Sequence, residues 1–313
     1  MTANTIDTDA LLALGQALQH ADYRFTTVTP ATHRRVNARP ENAWARDLRG
    51  VFGWSRPFRP DTLPAGIVTL MRSAGVLAER EDGLRAAVRA SSIGNRLYFH
   101  SAFPTHDDDS VFLGPDTYRY IAALKRAMET LTPPSRAVDI GAGGGAGAIE
   151  VAARFAQCEA IAADINERAL TLTGVNARLS GTANVEARHS DLLKDLDGEF
   201  DLVLSNPPYI LDPARLRYRH GGDMRGAGMS LQIVDAALDR LRAGGTLLLY
   251  TGIAIVDGRD EFLDTIRPRL DAACASWSYE ELDPDIFGGQ LDCAGYEEVE
   301  RIAAMWLRAT RRA

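Results

Sequence analysis

The chain has 313 residues, 46% of them hydrophobic and 25% charged, so it can bury a sizeable core without disulfide staples. Its three cysteines, Cys158, Cys274 and Cys293, lie far apart, which argues against a disulfide framework and against a cysteine-rich metal site. No apolar run reaches about 18 residues and the N-terminus lacks a signal-peptide pattern, so we expect a cytoplasmic protein that does not contact a membrane.

The net charge of −7 hides an uneven distribution along the chain. Residues 1–105 carry 13 arginines and 9 acidic residues, a net charge of +4, whereas the remainder carries −11. A basic front part can indicate contact with an acidic partner such as RNA. The alternative is that arginine has replaced lysine throughout, since the chain has 33 arginines and 2 lysines. The sequence leaves both interpretations open.

The first hundred residues predict a small helical domain that ends in a β-hairpin. A helical apolar pattern follows Asp7, and a second one begins near Leu63 and ends at Gly75. Residues then alternate on both sides of Gly94-Asn95, which is typical of a tight hairpin. This order resembles a winged-helix domain, a fold that binds nucleic acids in some proteins and other proteins elsewhere.

A polar, acidic stretch over 103–110 is the predicted boundary between two domains. We therefore expect a winged-helix-like substrate or partner domain over 1–105 and a larger domain over 106–313. His106 stands next to three aspartates, but consecutive positions do not converge on one ion. We expect a solvated linker there and no metal site.

From Val111 onward, strand and helix patterns alternate, which predicts an α/β fold with a parallel sheet. In chain order the patterns are a helix over 117–131, a strand, glycine turn and helix over 136–155, a strand over 158–165, a helix over 166–181, a short strand and loop over 184–193, a strand and turn over 200–210, a helix over 230–245 and a strand over 246–255.

A glycine-rich turn follows the first of these strands, in the run VDIGAGGGAG. Asp139 ends the strand, and glycine suits a turn where φ is positive or where the backbone approaches a ligand closely. The turn opens a helix whose free N–H groups favour negative charge. Gly141, Gly143 and Ala146 also satisfy the dinucleotide pattern G-x-G-x-x-G/A, and Asp164 suits a ribose diol in either case. The turn therefore predicts a nucleotide-like ligand without identifying it.

The motif Asn206-Pro207-Pro208-Tyr209 stands at the tip of the fourth predicted strand and helps to identify the nucleotide-like ligand. Together with the glycine turn, Asp164 and Asp191, it resembles the class I S-adenosylmethionine-dependent methyltransferases that methylate planar nitrogens. By motif, the release-factor glutamine N5-methyltransferases and the adenine-N6 and guanine-N2 methyltransferases are the most similar groups. The resemblance covers about residues 111–270 and does not include the front domain.

The resemblance implies a doubly wound, seven-stranded Rossmann-like sheet and S-adenosyl-L-methionine as cofactor. It assigns catalysis to Asn206, Pro207 and Tyr209. The Asn206 side-chain oxygen and the Pro207 carbonyl would accept the two hydrogens of a substrate –NH2, and Tyr209 would stack on its planar group. No general base or metal is implied. The cofactor would be held by Asp139, Gly141, Gly143, Gly145, Asp164, Asp191, Leu192 and Asn206.

Several points stay open in the sequence. The leading methyl acceptor is a protein or peptide, at a glutamine side chain; an RNA base or a small molecule is the alternative. A non-catalytic S-adenosylmethionine-binding subunit and a nicotinamide-dependent oxidoreductase are other classes, but neither explains the intact NPPY motif. Asp116 or Thr117 either caps a helix or contacts a ligand, and the acidic loop over 281–289 either recognises substrate or is a solvated turn. The sequence gives no oligomeric state.

Overall fold

The computed structural model describes residues 6–81, 83–105, 107–212 and 215–313. His106, named above as part of the predicted linker, lies outside these residues. The predicted first helix begins at an Asp7 cap, whose carboxylate accepts the Asp9 and Ala10 N–H groups. The front part comprises α1 (Thr8–His20), α2 (Pro30–Asn37), α3 (Ala65–Ser73), β1 (Leu77–Arg80), β2 (Gly83–Ala86), β3 (Val88–Ile93) and β4 (Arg96–Ser101).

The predicted hairpin at Gly94-Asn95 is confirmed, because Ile93 pairs with Arg96 across a two-residue turn in which Gly94 has a φ of 58°. The front part also has elements beyond the expected helix, helix and hairpin. An additional helix, α2, stands between α1 and α3, and a second antiparallel hairpin joins β1 to β2. The winged-helix likeness therefore covers only part of it.

The rest of the chain forms one seven-stranded sheet with helices on both faces. Its elements are α4 (Pro115–Met128), β5 (Arg136–Ile140), α5 (Ala146–Arg154), β6 (Glu159–Asp164), α6 (Glu167–Leu179), β7 (Val185–His189), β8 (Phe200–Ser205), α7 (Gly228–Arg240), β9 (Leu241–Ile255), α8 (Glu261–Ala273), β10 (Cys274–Asp283) and β11 (Arg301–Arg311). The strand order is β10-β11-β9-β8-β5-β6-β7. The five strands β5 to β9 run parallel to one another, and β11 runs antiparallel to both of its neighbours, β10 and β9.

This order confirms the doubly wound, Rossmann-like sheet. The chain runs outward from β5 to β7 on one side and from β8 onward on the other, so the direction of winding reverses between β5 and β8. Ligands of open α/β sheets bind in the crevice at such a switch point, outside the carboxyl ends of the strands. The central strands are apolar because both sheet faces are covered: Val138 and Val203 face one core cluster, and Leu202 and Leu204 the other.

The hydrophobic core of the front part also includes residues of α6, from the rest of the chain. Leu14 and Phe99 belong to the same buried cluster as Leu172, Val175 and Leu179 of α6. The Asn176 side chain on α6 bonds both the N–H and the carbonyl of Phe99, at 2.8 and 3.0 Å. The division at residues 105 and 106 therefore stays a prediction, because the front part and α6 share one core.

The acidic C-terminal stretch differs from the expectation of a loop over 281–289. Strand β10 continues to Asp283 at the edge of the sheet, and the connection to β11 follows it. Charged residues are frequent on edge strands because they discourage pairing with another chain. Two of these acids have partners, since Glu281 pairs with Arg301 at 2.8 Å and Asp283 with Arg119 at 2.9 Å.

In the described parts of the chain, every helix is too short or too polar to span a bilayer. The same residues contain no group of three His, Cys, Asp or Glu side chains placed to hold a metal ion.

Candidate active site

The glycine turn after β5 lies at the switch point and is open on its outer side. Gly141 and Gly143 have φ values of 66° and 56°, a region that side chains rarely adopt. A Cβ added at either position would meet no atom within 4 Å. Gly145 follows as the N-cap of α5. The turn therefore leaves room for a ligand directly against the backbone, as the sequence predicts.

Asp139 lies beneath this turn and is almost fully buried, at 2% exposure. Its carboxyl accepts the Ala148 N–H of α5 at 3.1 Å and the Tyr120 hydroxyl of α4 at 3.4 Å. Burial, together with the nearby Asp164 charge, raises the pKa of Asp139 to about 7. In the absence of a cationic neighbour, this carboxyl is thus poised to hold a proton near neutral pH.

Asp164, at the end of β6, connects the glycine turn to the next strand. One carboxylate oxygen accepts the Gly143 N–H at 2.8 Å, and the other accepts the Asn166 N–H at 2.9 Å. Each oxygen keeps a second lone pair for a ligand hydroxyl. Burial raises the pKa of this carboxyl, and the two backbone N–H groups counteract that rise. Asp164 therefore lies where the sequence predicts a ribose contact.

The segment after β7 lies beside Asp164, since the Ser190 N–H donates to the Asp164 carbonyl at 3.2 Å. Asp191 follows two residues beyond the end of the strand, with an exposed side chain that pairs with Lys194. Leu192 has a φ of 55° and packs partly buried against the core. Both residues are thus on the same sheet edge as the glycine turn, at its periphery.

The Asn206–Tyr209 motif begins where β8 ends, directly beside the glycine turn. Ser205 pairs in register with Ile140, and its hydroxyl donates to the Ile140 carbonyl at 2.7 Å. Asn206 directly follows Ser205 at the end of β8, and Gly141 directly follows Ile140 at the end of β5. Asn206 is partly exposed and Pro207 is buried. The structure therefore brings the predicted catalytic and cofactor-binding motifs together.

Tyr209 points into the protein and is only 7% exposed. Its ring lies 5.9 Å from that of Phe287 and 6.4 Å from that of Tyr250, measured between centroids. Its hydroxyl faces the carboxyl of Asp116, which also accepts the Tyr250 hydroxyl at 2.9 Å. Stacking of Tyr209 on a substrate stays a prediction, and the contacts in the structure give it a role in anchoring the motif.

The sequence left two roles open for Asp116 and Thr117, and the structure separates them. The Thr117 hydroxyl accepts the Gly114 N–H at 3.2 Å and so caps α4. Asp116 is 3% exposed, and its carboxyl accepts hydrogen bonds from the hydroxyls of Tyr209 and Tyr250. Burial raises the pKa of this carboxyl. Sequence reasoning missed this anchor and its partner Tyr250. The one signal was a tyrosine inside the apolar run of β9, since a buried tyrosine hydroxyl requires a partner.

Comparison with known proteins agrees with this geometry. The family "Methyltransferase small domain" matches residues 122–252. The release factor glutamine methyltransferase of Deinococcus radiodurans is 36% identical over 155 residues, which are 46% of this chain and 55% of that protein. The enzyme of the same name from Escherichia coli K12 is 34% identical over 154 residues, or 44% of this chain and 53% of that protein. The chain thus spans about half the length of these curated relatives.

Solved structures give a weaker likeness. A ribosomal protein L11 methylase from Lactobacillus delbrueckii subsp. bulgaricus is 19% identical and has a TM-score of 0.42, covering 63% of this chain and 79% of that one. Trm5 of Methanocaldococcus jannaschii in complex with adenosine is 16% identical with a TM-score of 0.47, covering 74% and 60%. The family match over residues 122–252 includes the glycine turn and the Asn206–Tyr209 motif. This part of the chain therefore resembles the class I S-adenosylmethionine-dependent methyltransferases, and it is similar to the corresponding part of the release factor glutamine methyltransferases.

Proposed function

We propose that the protein transfers a methyl group from S-adenosylmethionine to the side-chain amide nitrogen of a glutamine in a protein acceptor, with a peptide-chain release factor as the leading acceptor. The observation that carries this proposal is the position of Asn206–Tyr209 at the end of β8, next to the Gly141–Gly143 turn. The names of the curated relatives support glutamine as the target.

The residues at this edge fit the cofactor. The open space over Gly141 and Gly143 admits a ligand against the backbone, and Asp164 offers free lone pairs for ribose hydroxyls. Asp139 and Asp191 add carboxyl groups, which suit a ligand with cationic groups. Leu192 and Asn206 complete the predicted set. When bound, S-adenosylmethionine supplies an electrophilic methyl group on a positively charged sulfur.

The chemical problem for the protein is the acceptor nitrogen, whose lone pair is delocalised into the amide. The Asn206 side-chain oxygen and the Pro207 carbonyl would accept its two hydrogens and hold the nitrogen in a geometry that frees the lone pair. Two consecutive prolines lack N–H groups, so no neighbouring backbone donor competes for these oxygens. Acceleration would come from positioning and from dipoles matched to the charge that develops on nitrogen.

Such positioning requires a rigid motif, and the structure holds it at both ends. Before Asn206, the Ser205 hydroxyl is fixed to the β5 backbone at 2.7 Å. After Pro208, Tyr209 is enclosed by aromatic rings and faces Asp116. Residues locked by packing and hydrogen bonds keep a catalytic group within the narrow tolerance that methyl transfer demands.

The test is transfer of a tritiated methyl group to a purified release factor, followed by mass spectrometry of its peptides. We expect label on one glutamine with the wild type. Asn206→Ala should reduce turnover by roughly a hundredfold or more, as loss of a preorganised polar group typically does. Gln232→Ala, which removes an exposed amide on α7, is the matched control. Label on another residue type, or a fully active Asn206→Ala variant, would overturn the proposal.

A further inference from the structure

A second candidate surface lies in the front part of the chain, over residues 24–59. This segment has eight arginines, no lysine and only Glu41 and Asp47 as acids, a net charge of +6. We propose that this arginine surface binds single-stranded RNA. Its arginines, all exposed except the half-buried Arg56, are Arg24, Arg34, Arg35, Arg39, Arg46, Arg49, Arg56 and Arg59.

These charges are not neutralised within the protein. Among the residues that the structure describes, none of the eight forms an ion pair with a carboxylate. Their hydrogen bonds go to neutral groups instead: Arg46 donates to the Glu41 carbonyl, Arg49 to the Arg24 carbonyl and Arg56 to the Asn37 side-chain oxygen. The surface therefore keeps its positive charge for an external partner.

Hydrogen bonds connect several of the segments that carry these arginines. Arg49 reaches the backbone of Arg24, and Arg56 bonds to α2, the helix that carries Arg34 and Arg35. His33 is buried on the inner side of α2, and the charges of Arg34 and Arg56 also affect its pKa. The pKa of His33 is lowered to about 4, chiefly by burial and in smaller part by the nearby Arg89, Arg56 and Arg34 charges.

A buried arginine beneath the surface adds to its positive charge, whereas His33, with a pKa of about 4, is neutral near pH 7. Arg89 is 5% exposed, and its guanidinium donates to the Gly53 carbonyl at 2.9 Å. Its Nη2 atom, like Nε2 of His33, is buried without a hydrogen-bond partner in the described structure. A buried cation without a counter-ion is costly, so an anionic ligand nearby would be favourable.

Tryptophan rings among the arginines favour RNA over an acidic polypeptide. Trp44 and Trp54 are partly exposed, with the guanidinium carbons of Arg59 and Arg56 at 4.7 and 5.4 Å from their centroids. Bases of a single strand stack on aromatic rings and on guanidinium planes, whereas phosphates accept bidentate hydrogen bonds from arginine. A single strand also carries one charge per nucleotide, a density that suits several adjacent guanidiniums.

The surface is connected to the active site by a short chain of contacts. The Ser55 hydroxyl accepts the Phe103 N–H at 3.1 Å, and the Thr105 carbonyl accepts the Tyr218 hydroxyl at 3.0 Å. Tyr218 lies in the segment that follows the Asn206–Tyr209 motif. The arginine surface is therefore connected to the segment that directly follows the Asn206–Tyr209 motif, whichever molecule accepts the methyl group.

The experiment measures fluorescence anisotropy of a labelled oligouridylate on the full-length protein over a salt series. The test variant is Arg34→Gln/Arg35→Gln/Arg39→Gln. The control, Arg126→Gln/Arg154→Gln/Arg267→Gln, removes three exposed arginines from the other part of the chain. We expect the test variant to bind at least tenfold more weakly and the slope of log K against log salt to fall by about 2, since each phosphate contact contributes roughly 0.7.

Trp44→Leu separates RNA from other polyanions. Loss of a stacking ring should weaken oligouridylate binding by about fivefold or more while the salt slope is unchanged, because stacking is worth about 1–3 kcal/mol per base. Unfolding curves confirm that each variant is folded. Equal binding by the test and control variants would overturn the proposal, as would no binding by the wild type. Competition by oligoglutamate as strong as that by unlabelled oligouridylate would assign the surface to an acidic protein instead.

Discussion

Replacement of Asp139 by asparagine should stabilise the cofactor-free protein at high pH while it weakens cofactor binding. The pKa of this carboxyl is raised from 3.8 to about 7 in the folded protein, chiefly by burial. A raised pKa means that the folded state holds the proton more tightly than the unfolded chain. Its stabilising contribution is therefore complete below pH 3.8 and is lost as the pH rises to about 7.

The size of the effect follows from linkage. A shift of about three units corresponds to on the order of 4 kcal/mol at most, and roughly 2.5 kcal/mol of it falls between pH 5 and pH 8. Asparagine cannot ionise, but its carbonyl can still accept the Ala148 N–H. The free energy of unfolding of Asp139→Asn should therefore rise relative to that of the wild type by about this amount between the two pH values.

Urea unfolding of both proteins without cofactor, followed by tryptophan fluorescence at several pH values, measures this difference. A constant offset between the two proteins does not matter, because only its change with pH reports the carboxyl. The same substitution at the exposed Asp239 of α7 is the control. The reasoning is refuted if the difference in the free energy of unfolding between variant and wild type stays constant between about pH 5 and pH 8. It is also refuted if the wild type becomes more stable relative to the variant as the pH rises. Calorimetry should show roughly tenfold weaker S-adenosylmethionine binding by the variant, a trade of function for stability.

Three further outcomes are expected. Asp116→Asn should loosen Tyr209 and lower kcat by about tenfold with little change in cofactor affinity; an equal loss in both would contradict an anchoring role. His33, with a pKa lowered from 6.5 to about 4, contributes stability that is present above pH 6.5 and lost as the pH falls towards 4, up to about 3 kcal/mol. His33→Gln should reduce this loss of stability at acid pH, as measured by urea unfolding. If the loss is the same in the variant, groups other than His33 cause it. Gly143→Val should reduce cofactor affinity at least tenfold by filling the open turn, whereas Gly181→Val, with a similar φ of 70° but away from the site, should cost only stability. Equal calorimetric affinities for the two valine variants would argue against a ligand at the turn.

The sequence predicts the switch point well because its signals are local. An apolar run that ends in Asp139 and a glycine turn, and another that ends in Asn206-Pro207-Pro208, each define a strand and its tip within about ten residues. Parallel pairing of β5 with β8 then brings the two tips together. The predicted cofactor and acceptor motifs consequently meet at one edge without any long-range information.

Other features depend on contacts between distant residues, which a single sequence does not reveal. Asp116 acquires its role from Tyr250, 134 residues further along the chain. Phe99 packs on α6 instead of closing a separate front domain. Strand β10 reads as a polar loop because an edge strand with one solvated face carries many charges.

The most direct test of the proposed function is methyl labelling of an extract from cells that lack this protein. Purified protein and tritiated S-adenosylmethionine are added, and the extract is separated into protein, RNA and small-molecule fractions. We expect the label in the protein fraction, on glutamine, and its loss when Asn206→Ala replaces the wild type. Label confined to the RNA or small-molecule fraction would contradict a protein acceptor.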